Sequence, residues 1–409
     1  MIEEQPVTDV KRVSPFVWLI VAALLLCQAA VCVVGRAPAL GGKVDLRAFY
    51  AAGAIIRSGH GAQLYNYEYQ EQVQNALIGP RVGALPFLYP AFAALPFIPL
   101  SSMSYRAAFF VLLIFNILLM MLAALLLHAW LPWFQRRSWL VLVAFYGCVF
   151  GVSVALMQGQ ISFLLLAVYC GTWVLLRRGS PLLAGLLMSL ALMKFQTALP
   201  VLLLFCVWKQ WRFAGGFLCG AVGLAGVSLA MIGRVGAVGY WQSMSGMVAQ
   251  TALHADAARS HYGMFPVDMP NLHGLTFGIS HGASWGLVLN VVLSVGVLIF
   301  AARQRTSLLV ALPAAMLVSY HMQPHDLTLL LLPLSFEMDC QLRRKAAGSA
   351  GKVLLMSVLL LVLPLAGVLM TLKLNYLVSL AVGGVMWVAA TMKPEGITGE
   401  AAAYSPAVE

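Results

Sequence analysis

The chain has 409 residues, of which 61% are hydrophobic and only 10% are charged, and its mean hydropathy is +0.89. A soluble domain of this length does not carry so little charge, so the composition indicates a polytopic membrane protein. The net charge of +11 is divided among short basic clusters between apolar runs, which argues against a nucleic-acid partner.

The apolar runs lack the alternation of barrel strands, and backbone inside lipid must satisfy its own hydrogen bonds, so we expect an all-α membrane protein. Basic residues beside spans remain in the cytoplasm, and keeping every basic pair and both termini there requires about twelve transmembrane helices. The predicted spans are 16–34, 104–128, 138–157, 160–176, 181–193, 196–208, 213–232, 284–301, 306–320, 326–338, 352–371 and 375–391.

The ends and the short spans need separate comment. The first span follows Lys11 and Arg12 and is longer than the apolar part of a signal peptide, so we expect an uncleaved helix. Spans 181–193 and 196–208 are short for a bilayer about 30 Å thick, so this hairpin crosses the membrane or only dips into it. Residues 1–393 then form one transmembrane domain, and 394–409 a disordered cytoplasmic tail.

This topology leaves two long segments, 35–103 and 233–283, on the extracytoplasmic side, where we expect them to build a site. Within the first, amphipathic pieces after Asp45 and near residues 66–77 are typical of helices on the membrane surface. Four prolines interrupt residues 85–100, which predicts a re-entrant or interfacial segment. No acidic residue lies in the middle of a predicted span, which counts against an ion-coupled carrier.

Polar clusters other than the basic pairs all fall on the predicted outer side. Lys194 lies at the outer turn of a hairpin, where a lysine either extends its ammonium towards water or meets an anion such as a lipid phosphate. The other clusters are the turn Gln158-Gly159-Gln160, the pair Asn271 and His273, and the turn from His321 to Asp326. A pocket there would combine these groups with the carboxylate of Asp45.

The order of these motifs resembles the GT-C class of integral membrane glycosyltransferases. Within that class it is most similar to glycosyltransferase family 87, the bacterial polyprenyl-phosphate-mannose-dependent alpha-mannosyltransferases. The series covers roughly residues 40–340 and departs from the usual pattern at Ala91, where a second proline is common, and at Ser162, where Asn is common. The motifs are Asp45 with Phe-Tyr-Ala-Ala-Gly, Leu64-Tyr65, Phe87-Leu88-Tyr89-Pro90, Gly159-Gln160, Ala184-Gly185 leading to Lys194 and Pro200, Trp211-Arg212, Asn271 with Gly274-Leu275, and His321 to Asp326.

The resemblance implies a hexosyltransferase that moves a sugar, most commonly mannose, from a polyprenyl-phosphate donor to a glycolipid or glycan acceptor. Transfer is expected at the outer face of the bacterial plasma membrane, with membrane lipids as the surroundings. One inverting displacement needs a single base, Asp45, and His325 is expected to assist at the phosphate. Because no nucleotide diphosphate is involved and no Cys/His spacing matches a zinc template, we predict neither a metal nor another cofactor.

Substrate contacts are expected from polar side chains on the same side of the membrane, with tyrosines stacking on a sugar and cations on the phosphate. These residues are Arg47, Tyr50, Tyr65, Tyr89, Gln158, Gln160, Lys194, Arg234, Asn271, His273, His321 and Asp326. Asp256 and Asp268 are weaker candidates for the base, because no family motif includes them.

Alternatives remain open at each level. Asp45 precedes an amphipathic run, where it could serve only as an N-cap, and the tyrosines could belong to an interfacial aromatic belt. The whole chain could instead be a lipid-linked saccharide flippase or another transporter, which predicts polar residues throughout the spans. An O-antigen ligase or polymerase-type enzyme with a diphosphate-linked donor is the third reading.

Overall fold

The computed structural model describes residues 15–253, 266–343, 358 and 361–392, and the regular structure of these residues is entirely helical. The predicted all-α class is therefore confirmed, whereas the tail 394–409 and most residues of 352–360 lie outside the described part. The helices are α1 Pro15–Leu40, α2 Leu46–Arg57, α3 Tyr67–Leu77, α4 Phe97–Leu100, α5 Tyr105–His128, α6 Pro132–Gln135, α7 Leu140–Gly147, α8 Phe150–Gln158, α9 Ser162–Arg177, α10 Pro181–Met188, α11 Phe195–Val207, α12 Trp211–Leu253, α13 Leu272–Ser280, α14 Trp285–Ala302, α15 Leu308–Val318, α16 Leu331–Arg343, α17 Ala366–Thr371 and α18 Asn375–Thr391. Short 3-10 helices cover Gly61–Gln63, Ala91–Ala94, Ser189–Lys194, Pro266–Asp268 and Pro324–Leu330.

The predicted count of about twelve spans is not confirmed. Within the described residues, five helical stretches are long and apolar enough to cross a membrane: Pro15–Leu40, Tyr105–His128, Pro181–Val207, Trp211–Gly246 and Trp285–Ala302. A straight crossing needs about 20 residues, and α9, α15 and α18 are shorter apolar helices of 10–17 residues. The basic clusters identify where apolar runs end, but not whether each run is one helix of full length.

The predicted span 138–157 is instead two helices, α7 and α8, bent by 82°. Val149 between them has extended geometry (φ −83°, ψ 126°), and the N–H of Phe150 donates to the carbonyl of Leu363 at 3.4 Å. The donor released at the break thus finds a partner on a neighbouring segment, as backbone in an apolar environment requires. The bend redirects α8, which ends at Gln158.

Residues 181–207 form a helical hairpin with Lys194 at its tip, although their length of 27 residues would suffice for one crossing. A Cβ on Gly185 of α10 would lie 2.0 Å from the carbonyl oxygen of Phe213, and the ring of Phe205 in α11 stacks on Phe213 with centroids 4.1 Å apart. A straight helix would separate Gly185 from Phe205 by about 30 Å, so the chain reverses between them. The reversal occurs at Lys194, whose backbone leaves helical geometry (φ −122°, ψ 72°).

Two expectations for the outer segments need correction. Residues 233–283 begin with helix rather than loop, because α12 continues to Leu253 beyond a break at Gly233 (φ 62°, ψ −173°). In the first segment α2 is not an exposed amphipathic helix: its residues from Leu46 to Ile55 are all buried within the protein. Gly53 allows the backbone of Phe97 to cover it, since a Cβ there would lie 2.3 Å from the Phe97 oxygen. Residues 85–100 contain only the 3-10 turn and α4, and no helix long enough to cross.

Candidate active site

A cavity of about 840 Å³ is enclosed by the chain around residues 45–89, the turn after α8, the tip of the α10–α11 hairpin and the turn at 320–325. Side chains that the sequence predicts for the site converge on it from three of these segments, all except the hairpin tip. They are Asp45, Tyr89, Gln158, Gln160, His321 and His325. The cavity is also lined by Arg81 and Gln196, which the motifs did not include, by Gln323 of the 321–326 motif, which was not among the predicted site residues, and by the weaker base candidate Asp268.

The turn after α8 holds Asp45 at both its backbone and its carboxylate. The N–H of Asp45 donates to Oε1 of Gln158 at 3.2 Å, and Nε2 of Gln160 donates to Oδ2 of Asp45 at 2.5 Å. Although Asp45 directly precedes α2, its side chain makes no capping hydrogen bond to that helix. The geometry therefore favours a role for this carboxylate in the cavity over the N-cap alternative.

The surroundings of Asp45 shift its pKa in opposing directions. Burial raises the pKa of the carboxyl, and the negative charge of Asp326 raises it further. The hydrogen bond from Gln160 and the positive charges of Lys194 and Arg81 lower it. Burial is the largest of these effects, so the net pKa is raised. A carboxylate with a raised pKa is a stronger base than an exposed one. The position is therefore suited to accepting a proton.

Gln160 is oriented by neighbours on two other segments. Its backbone carbonyl accepts a hydrogen bond from Nδ2 of Asn116 on α5 at 3.1 Å, and its Oε1 accepts one from the hydroxyl of Tyr89 at 3.5 Å. With Oε1 facing a donor, the amide nitrogen of Gln160 faces Asp45. The sequence prediction did not include Asn116, although an amide in the middle of span 104–128 was an available signal.

Gly159 allows this turn to lie against α2. Its φ of 64° is in the left-handed region, and a Cβ would lie 2.8 Å from Cβ of Leu46, the residue that follows Asp45. Any other residue would be strained and would push the turn away from α2. The Gln-Gly-Gln sequence is thus explained by the approach of the turn to Asp45.

Lys194 is neither free for phosphate nor extended towards water. It is 2% exposed, its Nζ forms a buried ion pair with Asp326, and it lies 3.0 Å from Nε2 of His325. The other Asp326 oxygen accepts from the N–H of Gln323 at 3.0 Å. Of these groups His325 and Gln323 line the cavity, and the ion pair behind them ties the hairpin tip to the turn at 321–326. The attraction between the two charges offsets the free energy that is needed to remove them from water.

His321 presents a neutral imidazole to the cavity. Burial lowers its pKa to about 4, so the ring is uncharged at neutral pH. Its Nδ1 is buried and has no hydrogen-bond partner among the described residues.

The model of glycosyltransferase family 87 matches residues 87–333, more than half of the 409 residues. The chain belongs to glycosyltransferase family 87. The match includes Tyr89, Gln160, Lys194 and His325, whereas Asp45 lies before it. No curated protein and no solved structure matches the chain.

In this family 87 glycosyltransferase, Arg47 and Tyr50 are tied up in packing rather than lining the cavity. Buried Arg47 donates to Gln74 at 3.1 Å, Asn75 at 2.7 Å and the carbonyls of Gly42 and Gly79 at 3.3 and 2.6 Å. These bonds join α2 to α3. The hydroxyl of Tyr50 donates to the carbonyl of Met103 at 2.7 Å.

Asn271 and His273 support the cavity wall from behind. Asn271 caps α13 by accepting from Gly274 at 3.0 Å and donates to the carbonyl of Ser319 at 2.6 Å. Nδ1 of His273 lies 2.8 Å from the carbonyl of Tyr320, and the two rings stack with centroids 5.1 Å apart. Both residues therefore fix the chain that leads into His321.

The last two predicted residues, Tyr65 and Arg234, line a separate pocket beside the glycosyltransferase cavity. Asp256 lies outside the described residues. In the described part of the chain, His, Cys, Asp and Glu side chains form no group of three or more with the arrangement of metal ligands. A reaction without metal remains a prediction.

Proposed function

We propose that this glycosyltransferase moves a mannosyl residue from a polyprenyl-phosphate donor to a hydroxyl group of a glycolipid or glycan acceptor. In this proposal the reaction takes place at the extracytoplasmic face of the bacterial plasma membrane and needs no metal or other cofactor. The observation that carries the proposal is the carboxylate of Asp45 in a cavity shared with Gln160, His321 and His325 in a family 87 chain.

The chemistry is a single displacement. Asp45 takes the proton of the acceptor hydroxyl while the hydroxyl oxygen attacks the anomeric carbon. The bond from that carbon to the phosphate oxygen breaks on the opposite face, so the configuration inverts and polyprenyl phosphate leaves as the anion. The raised pKa of Asp45 supports its role as proton acceptor.

The phosphate needs positive charge near the cavity, and the proposed partners differ from those expected at first. Arg47 and Arg234 do not line the cavity, and Lys194 is paired with Asp326. Arg81 does line it and is the cation we propose for the leaving phosphate. His325 also lines the cavity, but burial lowers its pKa to about 3, so its ring is uncharged and we propose that it contributes a neutral hydrogen bond.

The outward orientation is supported by the α10–α11 hairpin. Its tip at Lys194 faces the cavity, whereas α10 begins after Arg177 and Arg178 and α11 ends before Lys209, at the opposite end of the hairpin. Basic residues beside spans mark the cytoplasmic side. With these residues inside, the cavity opens on the outer side.

The test uses membranes from cells that produce the full chain, incubated with radiolabelled polyprenyl-phosphate mannose and a panel of glycolipid acceptors. Asp45→Asn should lower the transfer of label by about 10²- to 10⁴-fold, the usual contribution of a general base. Glu71→Gln is the matched control, because it also turns a carboxylate into an amide but keeps the oxygen that accepts from Gly83.

Protein amounts are compared by immunoblot. Wild-type transfer in Asp45→Asn would refute the assignment of the base, since Asn can still serve as an N-cap. If the labelled lipid moves between leaflets and no new glycosylated product forms, the protein is a flippase and the proposed transfer reaction is wrong.

A further inference from the structure

A second pocket, of about 550 Å³, lies between the chain at 62–68 and the part of α12 beyond Gly233. We call it the Arg234 pocket. Its polar side chains include Gln63, Glu68, Arg234, Gln242 and Ser243, and Tyr65 lines its inner wall. None of the residues of the cavity at Asp45 is among them. The reaction proposed above leaves this pocket without a role.

Arg234 brings a positive charge to this pocket that no described residue pairs. It is exposed, and no ion pair or side-chain hydrogen bond joins its guanidinium to another described residue. Glu68 lines the same pocket but is not within ion-pair distance of it. A guanidinium is suited to a phosphate, which it can bind through two hydrogen bonds.

The position along α12 places this charge at a membrane boundary. The helix from Trp211 to the break at Gly233 exposes large apolar side chains, among them Val222 at 73%, as expected of a surface in lipid. The break is fixed in place, because a Cβ on Gly61 would lie 2.0 Å from the carbonyl oxygen of Met231. Arg234 follows directly, where the apolar stretch ends.

The rim of the pocket is apolar and open. Val235 and Val238 line the pocket and are 69% and 50% exposed. Trp241 does not line it, but it lies three residues after Val238 on the same helix and is 74% exposed. Tryptophan is enriched where protein meets the interface of a bilayer. Polar groups inside and an apolar rim outside fit an amphipathic molecule better than a free sugar or a free anion.

The pocket is also connected to the cavity through Tyr65. Its ring packs on Tyr240 with centroids 4.8 Å apart, and its hydroxyl donates to the carbonyl of Tyr89 at 2.8 Å. Tyr89 and Met244, one helical turn after Tyr240, both line the cavity. One aromatic side chain and one face of α12 therefore separate the two spaces.

We propose that the Arg234 pocket binds the phosphate-containing headgroup of a glycerolipid. The phosphate lies on Arg234, headgroup hydroxyls donate to or accept from Gln63, Glu68 and Gln242, and the acyl chains run along Val235 and Trp241. The role of this lipid rests on the proposed function: the lipid is the anchor of the acceptor, and the glycan of the acceptor reaches Asp45 past Tyr65. The donor phosphate occupies the cavity instead.

The test measures binding rather than turnover. The purified full chain in detergent is titrated with phosphatidylglycerol, and bound lipid is counted by native mass spectrometry. Arg234→Gln should weaken binding about tenfold or more, as loss of a bond between two charged groups predicts, and Arg234→Lys should recover part of the loss. Arg212→Gln is the control, because it removes an exposed arginine at the other end of the same helix.

Three further probes separate the possible sources of the anion. Monoglucosyl diacylglycerol, which has hydroxyls but no phosphate, should bind the wild type and Arg234→Gln equally, and polyprenyl phosphate should also bind both equally. Millimolar inorganic phosphate should not displace the lipid. Unchanged phosphatidylglycerol binding in Arg234→Gln, a matching loss of polyprenyl phosphate, or displacement by inorganic phosphate would each overturn the proposal. The binding measurements do not depend on sugar transfer, so they remain interpretable if the Asp45→Asn test refutes the proposed function. The two proposals can therefore fail independently.

Discussion

The hydrogen bond from Gln160 to Asp45 makes a prediction about the pH dependence of transfer. Nε2 of Gln160 stabilises the ionised carboxylate, so it lowers the pKa of Asp45 against the effect of burial. Gln160→Leu removes this donor and keeps an apolar side chain of similar size. The pKa of Asp45 should then rise further, and the base should be protonated, and inactive, up to a higher pH.

The size of the effect follows from the type of bond. A hydrogen bond to a charged group contributes about 1.5–3 kcal/mol. Converted into a rate, this is a fall in kcat/KM of about 10- to 150-fold on the acid side of the profile. The loss should shrink as the pH rises, because Asp45 then ionises in the enzyme molecules in which it was still protonated.

The assay is transfer of labelled mannose in membranes, with kcat/KM determined from about pH 5 to pH 9. Gln158→Leu is the control: Gln158 accepts from the backbone N–H of Asp45 and makes no bond to its carboxylate. That variant should keep the acid limb of the wild type even if its rate falls. An acid limb in Gln160→Leu that coincides with the wild type would refute the account of this bond.

Two further predictions concern stability and the turn. Lys194→Met leaves Asp326 buried without its cation and should lower the free energy of unfolding by about 3–5 kcal/mol, measured by denaturation in detergent. The double variant Lys194→Met with Asp326→Leu should recover most of this loss. A double variant as unstable as the single one would contradict the role of the pair. Gly159→Ala should cost about 1–2 kcal/mol in backbone strain and should lower transfer by moving the turn away from Leu46. The control is Gly223→Ala, which should leave stability and transfer unchanged because its Cβ would meet no atom within 4 Å. Equal behaviour of the two variants would contradict the steric argument.

The sequence predicts which side chains meet in the cavity better than it predicts how the helices cross. Asp45, Gln160 and His321 are far apart along the chain, yet the basic clusters assign all three to one side of the membrane, and the structure brings them to one cavity. The helix break at Val149 was not predictable in this way. No proline marks it, and it depends on a carbonyl of Leu363 more than 200 residues away.

The sequence also could not assign partners to the buried charges. Arg47 follows Asp45 by two residues and is equally suited to a phosphate, but four acceptors around α3 and its flanks use its donors. Lys194 and Asp326 are separated by 132 residues, and their pairing depends on the tertiary fold. An isolated lysine in an apolar run therefore indicates that an anion is near, without showing whether protein or substrate supplies it.

The distance along the chain between Asp45 and its partner has a consequence during synthesis. Asp45 leaves the ribosome 115 residues before Gln160, which at about 5–20 residues per second is a delay of about 6–23 s. His321 and His325 follow still later. A nascent or prematurely terminated polypeptide that ends before residue 321 carries the carboxylate but not the cavity wall at residues 321–325, so the cavity at Asp45 cannot be complete until more than three quarters of the chain has been translated.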